Sequence, residues 1–132
     1  MTTQRQIEDL SVDECMDLLA SYEFGRLAYI RDGKPEIVPF NYRFHEGAVV
    51  LRTSWGAVID AVHHQAVAFE VDEPLVETRS GWSVVVHGIA EEIWQEEELA
   101  RARELPLEPW APGEREHFLQ ISPSSITGRR VS

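Results

Sequence analysis

The residues best suited to chemistry lie at one predicted strand end, Arg52-Thr53-Ser54-Trp55-Gly56, directly before a predicted helix. An arginine can hold a phosphate through two parallel N–H bonds, and the two hydroxyls add further donors. Free amides at a helix N-terminus also favour an anion. The pattern indicates a phosphate-binding strand end. The alternative, that Thr53 and Ser54 only cap the helix, stays open.

A proline interrupts a second predicted strand, Val38-Pro39-Phe40-Asn41-Tyr42. Because proline has no N–H for the ladder, it predicts an edge strand or a bulge. An exposed backbone of this kind is compatible with a ligand that approaches the strand. Phe40 and Tyr42 are either walls of that site or plain core aromatics, and the pattern does not choose between them.

Trp82 and Ser83 begin a long predicted strand. Tryptophan is common at interfaces and at ligand-binding faces because it buries a large area and keeps one polar group. Trp55 and Trp110 are further candidate walls of a binding site. Core or interface packing is the alternative for each of these side chains.

Charge and composition narrow the class of protein. The chain has 132 residues, enough for one domain, and a formal net charge of −11. Such a chain lacks the basic surface that nucleic acid or an anionic membrane requires, so neither partner is expected. The single cysteine, Cys15, forms no internal disulfide, and neither a signal peptide nor a transmembrane span is predicted. A cytoplasmic location is the expectation.

The sequence carries no motif for a metal or a nucleophile. Neighbouring His63 and His64 are expected to point apart on a helix, and a lone cysteine excludes a thiolate zinc site. There is no Gly-X-Ser-X-Gly elbow, no P-loop and no dinucleotide glycine fingerprint. No catalytic or metal-ligating side chain is therefore assigned, and a histidine ligand to haem is kept as an alternative.

The elements that must position these residues are short and mostly extended. A helix begins after Ser11, where Ser11 and Glu14 form a capping box. Asp32 and Gly33 predict a hairpin turn because both tolerate positive φ, and Gly88 predicts a bulge. Successive hairpins favour an antiparallel barrel over a parallel α/β sheet. The predicted strands cover residues 26–31, 37–42, 48–53, 66–71, 82–94 and 126–131, and the predicted helices cover 12–22, 57–64, 95–104 and 114–120.

In order and spacing, these segments resemble the pyridoxamine 5'-phosphate oxidase-like family, also known as FMN-binding split barrels. The resemblance implies a mainly β fold: a six-stranded antiparallel split β-barrel with Greek-key connections and a few short peripheral helices. It implies one FMN-binding domain over residues 1–132. The residues that carry the resemblance are Gly25-Arg26-Leu27-Ala28, Val38-Pro39-Phe40-Asn41-Tyr42, Leu51-Arg52-Thr53-Ser54, Val67-Ala68-Phe69-Glu70-Val71-Asp72, Gly81-Trp82-Ser83 and Ile126-Thr127-Gly128-Arg129-Arg130.

The resemblance also implies a homodimer whose interface forms two equivalent cofactor sites. FMN is the expected cofactor, with a deazaflavin coenzyme or haem as alternatives. In related proteins, segment 52–56 meets the FMN phosphate, strand 39–41 lies along the flavin ring, and Trp82 and Ser83 lie near the interface and the cofactor. The cofactor-binding residues assigned in this way are Pro39, Phe40, Asn41, Arg52, Thr53, Ser54, Trp55, Gly56, Trp82 and Ser83.

One position departs from the family pattern. Relatives that bind FMN often carry a lysine two residues after the glycine, where this chain has Val58. A cation is therefore missing where a phosphate dianion needs one, and Val58→Lys is expected to tighten FMN binding. His63, His64 or an arginine of the partner chain are the alternative sources of that charge. Gly25-Arg26 and segment 128–130 each offer one further cation.

The function that the resemblance implies is a flavin-dependent oxidoreductase that acts on an unknown small molecule. In such an enzyme the flavin carries out the electron or hydride transfer, so the absence of a catalytic triad is no obstacle. The alternatives are a non-catalytic protein that binds flavin or haem, and a split barrel that has lost its cofactor.

Overall fold

The computed structural model describes residues 4–54, 56–108 and 117–132. These ranges form one curled antiparallel sheet of eight strands and three short helices. In chain order the elements are β1 Ile7–Asp9, α1 Val12–Ser21, β2 Phe24–Arg31, β3 Lys34–Asn41, β4 Arg43–His45, β5 Ala48–Thr53, α2 Gly56–Val62, β6 Gln65–Leu75, β7 Ser80–Glu92, α3 Glu96–Glu104 and β8 His117–Val131. No helix in the described ranges is long and apolar enough to span a bilayer.

The strand order across the sheet is β3-β2-β6-β7-β8-β5-β4, and β1 pairs with the far end of β8. All neighbours run antiparallel. The mainly β split-barrel architecture expected from the sequence is confirmed. The helix α1 and the helix α2 pack against the concave side of this sheet, where the main core lies.

Local chemistry explains where α1 begins. The Ser11 hydroxyl accepts a hydrogen bond from the Glu14 amide at 3.1 Å, and the Glu14 carboxylate accepts one from the Ser11 amide at 3.2 Å. This is the capping box that the sequence predicts, and it satisfies two amides that the first helical turn leaves free. These bonds hold the pKa of Glu14 below its usual range. The helix then buries Cys15 and Leu19.

One tight turn sets the hairpin that flanks the site. Asp32 and Gly33 have φ values of 51° and 75°, the conformation that a two-residue hairpin turn of this kind requires. The resulting partner strand, β3, lies at an edge of the sheet. Pro39 therefore lies on an edge strand, where a missing N–H costs the ladder little.

The long strand β7 bends where the sequence predicts a bulge. Its register with β8 shifts between His87 and Gly88. A Cβ atom built on Gly88 would lie 2.1 Å from the carbonyl oxygen of Ser122, so only glycine fits this position. The bulge lets β7 and β8 curl around the core while they stay paired.

Two parts of the element prediction need correction. The structure has eight strands where about six are predicted, and the additional β1 and β4 have three residues each. The helix predicted over 114–120 is wrong for 117–120, which begin β8, while 114–116 lie outside the described residues. His117 pairs with Thr53, so the free edge of β5 determines the conformation of this segment.

Candidate functional site

Arg52 lies at the end of β5, as the phosphate hypothesis requires. Its guanidinium donates to the carbonyl oxygen of Leu107 at 3.4 Å and lies 5.3 Å from the centre of the Phe118 ring. Thr53 is buried, and Ser54 is half-buried at the entry to α2. Trp55 lies outside the described residues, as does Trp110.

Asn41 reaches the same stretch of chain as Arg52. Its side-chain amide donates to the carbonyl oxygen of Glu108, one residue beyond the acceptor of Arg52. We call residues 105–108 the strap. Leu107 anchors it, since its side chain is 2% exposed in a small second core under α3. The strap therefore joins the end of β3 to the end of β5. These are the two strand ends that are expected, from the sequence, to hold the ring and the phosphate of one ligand.

The strap carbonyls are neutral acceptors, and this matters for the fit of a phosphate. Arg52 has five N–H donors, and its bond to Leu107 is long. Bonds from a guanidinium to an ionised oxygen are shorter and roughly twice as strong as neutral ones. A phosphate would therefore be a better acceptor for Arg52 than the Leu107 carbonyl oxygen, which makes this strand end a candidate site for the anionic tail of a nucleotide.

Val58 does not face this strand end. It is 5% exposed and packs in the main core with Ile59 and Val62. A lysine at position 58 would have to leave the core before its ammonium group met a phosphate, and burying it uncompensated is costly. The structure therefore does not support the expected gain in FMN affinity from Val58→Lys.

Pro39 and Ser83 lie on the convex face of the sheet, which we call the outer face. A continuous register links Pro39 to Arg26, Arg26 to Glu70 and Glu70 to Val85 across four adjacent strands. Three strand spacings separate Pro39 from Val85, roughly 14 Å. Ser83 is two residues from Val85 and therefore shares its face.

The neighbours of these two residues point to the other side of the sheet. Phe40 is 7% exposed and belongs to the main core, where Tyr42 is also fully buried. Trp82 packs edge-on against Tyr22, with ring centres 4.8 Å apart. In the single chain, Phe40 thus acts on the site by fixing the strand rather than by lining a cavity.

Arg52 and Trp82 are far apart within one chain. Arg52 lies opposite Phe118 and Trp82 opposite Arg130, at the two ends of β8. Twelve residues, from 118 to 130, separate these partners along the strand, roughly 40 Å if it were straight. One chain alone does not bring the strand end at Arg52 together with Trp82 and Ser83.

Charged residues of the outer face form a small network that the sequence reading missed. Arg26 lies 3.1 Å from a Glu70 carboxylate oxygen and 3.5 Å from one of Asp72. Burial and the neighbouring Asp72 carboxylate together raise the pKa of Glu70 to about 7, against the smaller lowering effect of Arg26. Glu70 and Asp72 are two residues apart on β6, so their side chains lie on the same face of the sheet. This spacing in the sequence predicts that the two carboxylates lie close together.

Glu70 gives a pH dependence with a definite sign. Its folded pKa of about 7 lies above the ordinary value of 4.5, so the folded chain holds this proton more tightly than the unfolded chain. The resulting stabilisation is complete below pH 4.5 and is lost as the pH rises towards 7. We expect Glu70→Gln to gain stability relative to the wild type between pH 5 and pH 8, measured by urea unfolding. The exposed Glu77→Gln serves as a control, and parallel pH profiles for Glu70→Gln and the wild type would contradict this assignment.

The histidines pack against one another and against glutamates. His117 lies 2.6 Å from a Glu92 carboxylate oxygen, and His63 accepts a hydrogen bond from the Glu92 amide at 3.2 Å. The expectation that His63 and His64 point apart is wrong: their ring centres are 3.7 Å apart, because His64 follows the helix with a φ of 62°. Within the described ranges no three His, Cys, Asp or Glu side chains are grouped to hold a metal ion.

A groove of about 400 Å³ lies at the β1 end of the sheet, where β6, β7 and β8 meet. It is the place where the structure puts Trp82 and Ser83. We call it the Arg79–Arg129 groove, and its principal lining residues are Ile7, Pro74, Arg79, Trp82, Ser83 and Arg129. Arg129 belongs to a segment that the sequence marked as a source of charge, whereas Arg79 lies in the β6–β7 turn and carried no signal.

Comparison with known proteins agrees with this architecture. The family model for pyridoxamine 5'-phosphate oxidase matches residues 11–130. An uncharacterized protein of Mycobacterium tuberculosis is 38% identical over an alignment that covers 96% of this chain and 87% of that protein.

Two solved structures are similar in both sequence and fold. The FAD binding protein from Mycobacterium smegmatis has a TM-score of 0.78 and 36% identity, covering 92% of this chain and 95% of that one. A FAD-binding protein from Mesorhizobium loti has a TM-score of 0.80 and 27% identity, covering 96% and 99%. The match over nearly the whole length and the shared split-barrel fold lead to one conclusion: this chain belongs to the pyridoxamine 5'-phosphate oxidase family.

Proposed function

We propose that this protein is a flavin-dependent oxidoreductase that binds a flavin nucleotide between the two subunits of a homodimer. The observation that carries the proposal is the meeting of Asn41 and Arg52 at the strap, which aligns a ring-binding strand with a phosphate-binding strand end. The two relatives described as FAD-binding support a flavin as the ligand.

The residues of this chain bind and orient the flavin. Arg52 holds the phosphate, with Ser54 beside it as a hydroxyl donor, and Asn41 donates to a polar edge of the ring. The backbone of Pro39 on the edge strand β3 lies against the ring. The bound flavin supplies the electron or hydride transfer, and the protein tunes it through these hydrogen bonds.

The homodimer part of the proposal rests on the outer face. Three large apolar side chains lie exposed on β2, β3 and β7: Ile30 at 59%, Ile37 at 69% and Ile89 at 41%. Ala28 and Ala68, which are paired across β2 and β6, lie between them. Exposed apolar surface of this kind marks an interface, and a second copy of the chain is the occupant that also brings a second set of site residues to Arg52.

Ile37→Asp tests the dimer. We expect the substitution to raise the dimer dissociation constant at least about 100-fold. Each subunit of the dimer loses a buried apolar side chain at the interface and gains a buried charge there, so the effect occurs twice in one dimer. Sedimentation velocity measures the change. The matched control is Val76→Asp, since Val76 is 82% exposed in the β6–β7 turn. The control should leave the dimer intact. If the dimer persists in Ile37→Asp, the interface lies elsewhere, and dissociation in Val76→Asp would point to the β6–β7 turn.

The activity is tested on purified protein with added FMN and FAD. We expect one flavin per chain by equilibrium titration, and bleaching of the bound flavin when a reduced nicotinamide nucleotide is added. Binding without reduction identifies the non-catalytic alternative and contradicts an oxidoreductase. Failure to bind either flavin contradicts the proposal as a whole, and the visible spectrum of protein from its native source then distinguishes a deazaflavin, haem or an empty barrel.

A further inference from the structure

Two arginines of the Arg79–Arg129 groove have side chains without a hydrogen bond or ion pair to any other described residue. Neighbouring arginines are engaged: Arg26 pairs with Glu70 and Asp72, and Arg130 lies 3.8 Å from Glu8. Both guanidinium groups line the same groove, although the chain as a whole has a net charge of −11. Their free donors converge on one concavity and suit a ligand with more than one negative charge.

The backbone holds Arg79 in place before any ligand arrives. Arg79 has a φ of 54°, and its carbonyl oxygen accepts a hydrogen bond from Arg5 at 2.7 Å. The same Arg5 group donates to the carbonyl oxygen of Thr78 at 3.2 Å. Gly81 closes the turn with a φ of 147°, where a Cβ atom would lie 2.4 Å from the Glu73 carbonyl oxygen. The turn therefore fixes the position of the Arg79 backbone, and only the side chain has to become ordered when a ligand binds.

The other lining residues of the groove indicate which chemical group of the ligand lies next to its negative charges. Ile7 and Pro74 supply apolar walls beside the two cations. Apolar surface next to a few charged groups suits an anion that is attached to a flat, largely apolar group such as a nucleobase. Ser83 lies opposite Arg129 in the β7–β8 ladder and adds a hydroxyl beside the cation.

Two carboxylates, those of Asp72 and Asp9, border the groove and oppose the binding of an anion there. Asp72 forms an ion pair with Arg26 at 3.5 Å, and the arginine partly neutralises the charge of this carboxylate. Asp9 faces Arg129 across the β1–β8 pair without forming an ion pair. Neither of these two carboxylates is paired with Arg79 or Arg129, so both guanidinium groups keep their donors for a ligand.

The groove continues into a second depression of about 480 Å³, which shares Ser83 and Arg129 with it. Each of the two depressions lies within the size range of sites for small ligands and cofactors. The second depression is also lined by Val85, which lies in the same row of the outer face as Pro39. The groove is thus separate from Arg52 but opens onto the face that carries the proposed flavin strand.

We propose that the Arg79–Arg129 groove binds the adenosine diphosphate part of a dinucleotide, with the diphosphate between the two guanidinium groups and the base against the apolar wall of Ile7 and Pro74. Both FAD and a nicotinamide adenine dinucleotide contain this part, so the same chemistry has two sources. The proposal does not depend on which of them occupies the groove, nor on the assignment of Arg52 to a flavin phosphate.

The test uses ADP as the probe and isothermal titration calorimetry on the full chain. We expect ADP to bind, and Arg79→Ala and Arg129→Ala each to weaken it at least about 10-fold, since each removes a charge-assisted contact to phosphate. Arg101→Ala is the matched control because Arg101 lies on α3, away from the groove. Inorganic phosphate should bind more weakly than ADP because it makes no contact with the apolar wall of Ile7 and Pro74.

Three results would overturn the proposal: no detectable ADP binding, equal affinity in Arg129→Ala and the wild type, or phosphate binding as tightly as ADP.

Two further measurements identify which dinucleotide occupies the groove. A preference for FAD over FMN that is lost in Arg129→Ala assigns the groove to the flavin dinucleotide. A raised KM for the reduced nicotinamide dinucleotide, with flavin affinity unchanged, assigns it to the reductant. If no flavin binds at all, the proposed function fails while the ADP result still decides the groove.

Discussion

Replacing Arg52 with alanine is expected to weaken the binding of FMN at least about 10-fold, because a charge-assisted bond to the phosphate is lost. Riboflavin has no phosphate, so its affinity should change little in the same variant. The measurement is a fluorescence titration of both ligands. This pair of ligands separates a loss at the phosphate from a general distortion of the site.

Two further variants make the result specific. Arg52→Met keeps an unbranched apolar stem over Phe118 and should lose FMN affinity as Arg52→Ala does. Arg43→Ala removes an arginine that lies 3.0 Å from Glu23 and should leave FMN affinity unchanged. Unaltered FMN affinity in both Arg52 variants would show that the phosphate binds elsewhere.

Phe69→Ala is expected to lower the free energy of unfolding by about 3–5 kcal/mol, the largest effect on stability among the changes considered. Phe69 is fully buried on β6 and stacks edge-on against Tyr42, with ring centres 5.0 Å apart. Its ring also covers Gly25, where a Cβ atom would lie 2.6 Å from it, and glycine has no side chain that could fill the cavity left by Phe69→Ala. Denaturant unfolding measures the loss.

Phe44→Ala is the matched control because Phe44 is only half-buried at the margin of the same core. Its loss should be clearly smaller than that of Phe69→Ala. Similar losses for the two variants would show that Phe69 is not the centre of the core, and that the barrel does not close as the structure shows.

Much of the fold follows from local signals in the sequence. The capping box of α1, the turn at Asp32-Gly33 and the bulge at Gly88 are each set by the chemistry of a few adjacent residues, and the structure contains all three. A three-residue strand such as β4 shows no periodicity, so its existence depends on its partner β5. The start of β8 is extended because it pairs with β5, which lies more than 60 residues earlier in the chain.

The site was harder to predict because its residues meet only in the folded chain. Asn41 and Arg52 share the strap through two backbone carbonyls, and no pattern in the sequence indicates such a contact. The groove joins Arg79 and Arg129 in the same way. Val58 is the opposite case: its helical spacing with Ile59 and Val62 already indicated a core position, whereas the family resemblance suggested a phosphate-facing one.

Sedimentation of the purified chain with FMN or FAD, followed in the visible absorption band of the flavin, tests the central claim most directly. We predict that the flavin colour sediments with a species of twice the mass of one chain, at one flavin per chain, and that Ile37→Asp abolishes both together. Flavin carried by a monomer, or a stable dimer that carries no flavin of either kind, would contradict the account.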